Sequence, residues 1–221
     1  MTLISEVYSL LLNHFGEQKW WPADSKDEII IGAILTQNTN WNNVEKAIYN
    51  LKKEGVCSLS KIAKLDLEKL AQLIRPCGFY NVKSVRLQEV AKRLMKWSPE
   101  ANDIDKSRNF LLSIKGIGEE TADSILLYAY NIPVFVIDSY TKRLWSRLTG
   151  TNRLESYKYY QTLFTNELPQ DVKIYNTYHA LIVTQAKEFC RKKPVCNGCP
   201  LLARCSYFTT FPHTNTILAS K

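Results

Sequence analysis

The chain has 221 residues, enough to bury a good core as one large domain or as two interleaved small ones. Lys and Arg total 29 against 21 Asp and Glu, and the formal charge of +8 suits a polyanionic partner such as nucleic acid. No run approaches the roughly 18 apolar residues of a membrane span, and the opening residues carry Glu6 but no cationic leader, so the expectation is a cytoplasmic protein, of the nucleoid in a cell without organelles, with no membrane partner.

Leu3, Val7, Leu11 and Phe15 fall on one helical face and predict an amphipathic helix over 2–15. Trp20-Trp21-Pro22 is an aromatic pair stopped by a proline. A buried helix over 27–37 comes next, carrying Ile29, Ile30, Ala33 and Ile34, and Thr36-Gln37-Asn38-Thr39-Asn40 is a polar break. Val44, Ile48 and Leu51 face the core of a helix over 41–53. Ser58 and Asp66 cap short helices over 58–65 and 66–74. A turn at Arg75-Pro76-Cys77-Gly78-Phe79-Tyr80 opens a basic helix over 81–97, whose Lys83, Arg86, Lys92 and Arg93 read as a solvated face.

Beyond the loop marked by Pro99 and Asp103, the stretch 111–138 reads as helix, glycine hairpin, helix. Lys115-Gly116-Ile117-Gly118 is the turn, and Ala122, Ile125, Leu126 and Ala129 line one face of the second helix. Glycines allow a ligand to approach the main chain closely. Amides at the start of the second helix have no intrahelical partner and suit a phosphate; a plain loop between core helices is the alternative. Asp138 comes about one helix later, a carboxylate placed to cap the next helix.

Helices over 139–149, 156–168 and 171–189 complete the pattern, and no alternating strand is read. Of the six cysteines, Cys57 and Cys77 stand alone, whereas Cys190-x5-Cys196-x2-Cys199-x5-Cys205 places four thiols in sixteen positions. In a chain without an export signal that density reads as a metal or cluster site, zinc or iron-sulfur. Arg191, Lys192, Lys193 and Arg204 make the same tail a basic knob.

The hairpin Lys115-Gly116-Ile117-Gly118, Thr121-Ala122 after it, Val136-Ile137-Asp138, and Gly78-Phe79-Tyr80-Asn81 leading to Lys83 resemble the helix-hairpin-helix Gly-Pro-Asp superfamily of DNA glycosylases, which includes endonuclease III. The resemblance implies an all-α, two-lobed fold. A six-helix barrel with the hairpin would span 23–131, and 1–22 with 132–221 would form a lobe bearing the loop 190–205. It implies a base-excision enzyme that flips a damaged base and cuts its glycosidic bond, with Asp138 the catalytic carboxylate at the junction of the lobes, facing the hairpin.

Leu35-Thr36-Gln37 resembles the segment whose Gln fills the vacated base position. By the same resemblance, Lys115, Gly116, Ile117 and Gly118 contact DNA, and Arg191, Lys192 and Lys193 lie beside it. In many endonuclease III relatives a Cys-x6-Cys-x2-Cys-x5-Cys loop holds a four-iron four-sulfur cluster. Here the first interval is one residue shorter; the expectation for Cys190, Cys196, Cys199 and Cys205 is this 4Fe-4S cluster, with zinc the lesser alternative.

Bifunctional relatives carry a Lys in Gly-x-Gly-x-Lys-Thr-Ala as a Schiff-base nucleophile. This chain has Gly116-Ile117-Gly118-Glu119-Glu120-Thr121-Ala122, and a carboxylate at Glu120 cannot form an imine. With Trp20-Trp21-Pro22, this departure looks most like the 3-methyladenine branch, whose cationic purines suit aromatic faces. The expected base pocket comprises Trp20, Trp21, Trp41 and Glu120. The reading is thus a monomeric, monofunctional glycosylase acting on damaged double-stranded DNA. The alternatives are a glycosylase for oxidised, deaminated or mismatched bases and a non-catalytic DNA-structure binder.

Overall fold

The computed structural model describes residues 2–18, 20–100, 102–151 and 155–210, and no strand occurs among them. Its helices in chain order are α1 (Leu3–Phe15), α2 (Lys26–Leu35), α3 (Trp41–Lys53), α4 (Leu59–Ile62), α5 (Leu67–Leu73), α6 (Tyr80–Leu94), α7 (Ile104–Leu112) and α8 (Glu119–Ser124). Then come α9 (Ser139–Thr149), α10 (Tyr157–Glu167), α11 (Val172–Glu188) and α12 (Ser206–Thr210). The chain divides into two units, one spanning Trp21–Ile132 and one combining Met1–Trp20 with Pro133–Lys221.

Short polar residues start these helices as their chemistry requires. Side-chain oxygens of Thr2, Ser25, Asn40, Asp66, Asp103, Asp138, Ser156 and Asp171 each accept a first-turn amide, and each such cap contributes about 1 kcal/mol.

In the Trp21–Ile132 unit, α2 is apolar on every side, with Ile30, Ile31, Ile34 and Leu35 buried. A helix of that kind belongs inside a bundle, and α3, α6, α8 and the turn after α8 surround it. The expected helix over 58–65 shrinks to Leu59–Ile62, and Asp66 restarts the chain as a cap. The helix after the hairpin changes register: α8 gives way to a π-helical turn at Ile125–Ala129, all five residues buried. Simple apolar periodicity cannot register that extra residue per turn.

The discontinuous unit is organised on α11, which packs against α1 and α9. Phe135 stacks on Phe164 with ring centroids 4.5 Å apart, and Tyr175 and Tyr178 close the cluster edge-on. The Tyr178 hydroxyl donates to the carbonyl of Ile4 at 2.8 Å, tying α11 to α1. Beyond α11, a short 3-10 turn at Leu202–Arg204 and α12 flank Cys205 in the cysteine-rich tail, helical structure that apolar periodicity does not predict there. No helix among the described residues is long and apolar enough to cross a membrane.

Candidate active site

Asp138 owes its position to the extended segment before it. Val134, Phe135, Val136 and Ile137 are buried without helical partners, so their polar backbone groups need others. α10 supplies them: Gln161 Nε2 donates to the Phe135 carbonyl at 2.9 Å, and the Tyr157 hydroxyl accepts from the Ile137 amide at 3.1 Å. The chain is thereby held straight until Asp138 caps α9. Asp138 Oδ1 accepts from the Thr141 amide at 2.7 Å and from Thr141 Oγ1 at 2.8 Å. Oδ2 faces His179 Nε2 at 3.5 Å, an ion-pair distance rather than a good hydrogen bond.

Burial pushes the Asp138 carboxyl up, but the neighbouring His179 and the Thr141 bonds outweigh it and hold the group below the ordinary aspartate value. Asp138 is therefore a buried carboxylate kept ionised. His179, on α11, carries no motif that marks it in the sequence. Its other neighbour is Trp20, edge-on with centroids 6.1 Å apart, over which Lys187 Nζ lies at 5.8 Å. Trp20 is thus found beside His179, within the same unit as Asp138.

In the other unit the hairpin is built as its glycines predict. Gly116 has φ +95°, a left-handed value that glycine tolerates, and a Cβ there would meet Arg86 Cδ at 2.8 Å. Lys115 and Gly118 are exposed and Ile117 is buried, anchoring the turn. The two hairpin helices are cross-braced, because Arg108 on α7 reaches fully buried Asp123 on α8 through Nε at 2.6 Å and Nη2 at 3.2 Å. Gln37 Nε2 donates to the Gly116 carbonyl at 2.9 Å and to Thr121 Oγ1 at 3.1 Å, docking the polar break onto the hairpin. Lys83, expected from its helix pattern on a solvated face, is instead buried. Its ammonium donates to the carbonyls of Leu35 and Cys77, both at 2.9 Å, joining the end of α2 to the turn before α6.

Trp21 and Trp41 come together in this unit. Their rings meet edge-on at 5.4 Å, and Trp21 lies over Tyr128 at 5.0 Å. They line a cavity of about 320 Å³ together with Glu28, Glu45, Tyr49 and Lys52. Glu120, by contrast, is exposed in the first turn of α8 and does not line this cavity. Aromatic faces and carboxylates in one cavity offer a flat cationic ring both of the attractions it responds to.

The tail cysteines form no disulfide. Gln185 Nε2 donates to Cys199 Sγ at 3.1 Å and Arg147 Nη1 to Cys190 Sγ at 3.2 Å. Burial pushes the Cys199 thiol up, an effect to which the nearby Cys190 and Cys196 add. Among the described residues no three His, Cys, Asp or Glu converge to hold a metal ion. Arg147 also grips the Arg191 and Lys192 carbonyls at 2.6 and 3.0 Å, which leaves the side chains of Arg191, Lys192 and Lys193 exposed.

Comparison with known proteins places these features. The family model described as "HhH-GPD superfamily base excision DNA repair protein" matches residues 31–170. The protein named "Putative DNA repair glycosylase MJ1434" of Methanocaldococcus jannaschii is 47% identical over 210 residues, covering 92% of this chain and 96% of that one. Endonuclease III of Sulfolobus acidocaldarius is 30% identical over 185 residues, 81% of each chain. Among solved structures, H. pylori 3-methyladenine DNA glycosylase (MagIII) bound to 1,N6-ethenoadenine is 32% identical with a TM-score of 0.69, covering 84% of this chain and 96% of that one. A non-covalent endonuclease III–DNA complex shares the fold at a TM-score of 0.81 and 21% identity, over 97% and 100% of the two chains.

Proposed function

We propose a specific reaction for this chain, which belongs to the HhH-GPD superfamily of base excision DNA repair proteins: hydrolysis of the glycosidic bond of alkylated purines in duplex DNA, without cleavage of the strand. The observation that carries the substrate class is the cavity where Trp21 and Trp41 meet beside Glu45. Alkylated purines of the 3-methyladenine type bear positive charge on the ring, and an indole face attracts such a cation by about 0.5–2 kcal/mol.

Bond cleavage develops positive charge on the deoxyribose, which a preformed carboxylate stabilises without reorganising. Asp138 supplies that carboxylate. Thr141 occupies Oδ1, and Oδ2, which faces His179 Nε2 at 3.5 Å, is the oxygen assigned to the sugar or to an attacking water. The base is already a good leaving group, so little acid catalysis is needed. Glu120 stands where a lyase would need an amine, and the product is then an intact strand with an abasic site.

For the tail, the reading of an iron-sulfur cluster rests on the number and spacing of its thiols, which do not converge on one point among the described residues. Cys190, Cys196, Cys199 and Cys205 are free thiols, and Arg147 and Gln185 direct N–H donors at two of the sulfurs, the kind of support that steadies sulfur ligands. When bound, the cluster cross-links the tail that carries Arg191, Lys192 and Lys193. Metal analysis of purified protein should give about four iron atoms per chain and no stoichiometric zinc.

The deciding experiment treats duplex DNA with a methylating agent, identifies the freed bases and examines the strands before and after alkali. Release of 3-methyladenine or 7-methylguanine, with nicks only after alkali, is expected. No released purine from protein that is active on uracil, mismatched or oxidised duplexes would transfer the chain to the neutral-base reading. Nicking before alkali would overturn the absence of a lyase step.

A further inference from the structure

Glu45 sits one helical turn after Trp41 on α3, and its Oε1 accepts the Trp41 indole N–H at 2.9 Å. Both side chains line the cavity of about 320 Å³ that Trp21 also lines. The other lining carboxylate, Glu28, is ion-paired with Lys52 at 2.8 Å, and Lys52 also holds Asp24 at 2.8 Å. Among the described residues Glu45 has no ion-pair partner of this kind, so its charge is not cancelled as that of Glu28 is. Accepting the indole N–H also fixes the Trp41 ring and enriches its π face.

We infer that Glu45 is a specificity residue that selects cationic over neutral purines at the capture step. The inference rests on the reading of this cavity as the base pocket. A neutral lesion gains nothing from the carboxylate, whereas a cationic ring is drawn both to it and to the indole faces. The positive charge leaves the base as the glycosidic bond breaks. Glu45 therefore stabilises the captured ground state more than the transition state, and its effect belongs in affinity rather than in the saturated rate.

Single-turnover kinetics on duplexes carrying one 7-methylguanine (cationic) or one 1,N6-ethenoadenine (neutral), read as half-saturating enzyme concentration and limiting rate, test this. Glu45→Gln should raise the half-saturating concentration for 7-methylguanine about fivefold relative to ethenoadenine, the effect of one partly screened charge near 4 Å, and leave the ratio of limiting rates unchanged. Glu45→Asp, which keeps the charge, should retain the preference. An unchanged affinity ratio in Glu45→Gln overturns the inference, and so does equal loss in both variants, which would mean that restoring the charge at this position does not restore the preference. Wild-type protein that releases neither lesion while acting on other duplexes would instead remove the substrate reading on which the inference rests.

Discussion

Gln37 is bonded to Gly116: its side-chain amide donates to the hairpin carbonyl at 2.9 Å and to Thr121 Oγ1 at 3.1 Å. The side chain expected to fill the space of a flipped base is thus committed to the hairpin and must break two hydrogen bonds to leave it. The same amide is a brace in the free protein and, on the role that the resemblance implies, would be a filler in the duplex.

Gln37→Ala should separate these two roles. Loss of the two part-buried bonds should lower stability by about 1–2 kcal/mol, measured by urea denaturation. Excision of a lesion paired in duplex should fall further than excision of the same lesion in a single strand, where no gap has to be filled. A stability loss with equal rates on both substrates would leave Gln37 a brace only.

Asp138 and His179 make a pH prediction with a defined sign. Asp138 has a depressed folded-state pKa, so its helix-capping and charge interactions are fully present above the ordinary aspartate range and are lost as pH falls through the lower folded value. Asp138→Asn, a competent cap, should keep the fold and DNA binding while losing on the order of 10²–10³ in excision rate. His179→Gln removes one of the two influences that oppose burial at Asp138, the Thr141 bonds remaining, so the acid limb of the rate profile should move to higher pH. An unmoved limb would mean that His179 does not set the ionisation of Asp138.

Much of the fold and of the candidate site is legible in the residues, and the exceptions have physical causes. Asn40 and Asp138 are strong caps, and the helices they open run over the ranges their sequences announce, Trp41–Lys53 and Ser139–Thr149. Lys83 departs from expectation because a lysine on an amphipathic helix is usually solvated; only the fold brings the Leu35 and Cys77 carbonyls to its ammonium. His179 hides within the apolar run Tyr178-His179-Ala180-Leu181, and its partner is remote in sequence. Glu45 is within reach of sequence reasoning, since Trp41 and Glu45 are four apart on a predicted helix and must share a face.

Arg108 and Asp123 join the two hairpin helices through a bidentate bond to a carboxylate with 0% exposure. Asp123→Ala should cost about 1–3 kcal/mol, because Arg108 loses its two bonds to the buried carboxylate and keeps Glu119 at 3.5 Å. Asp123→Leu combined with Arg108→Met, which removes both charges, should recover most of that loss. A shift below about 1 kcal/mol for Asp123→Ala in denaturant titrations would class the pair with ordinary surface bridges.

Glu120 occupies the first turn of α8, exposed beside the hairpin. An acid there is favoured by the helix dipole, so Glu120→Lys should cost only about 0.3–1 kcal/mol and leave a folded protein. The new amine stands where the family pattern places its Schiff-base nucleophile. Wild-type protein incubated with lesion DNA and borohydride should give no covalent adduct and no nicks without alkali, and Glu120→Lys should give both. Trapping of the wild-type protein would reveal another amine at work; a variant that excises bases without being trapped would show that an amine at this position cannot reach the sugar.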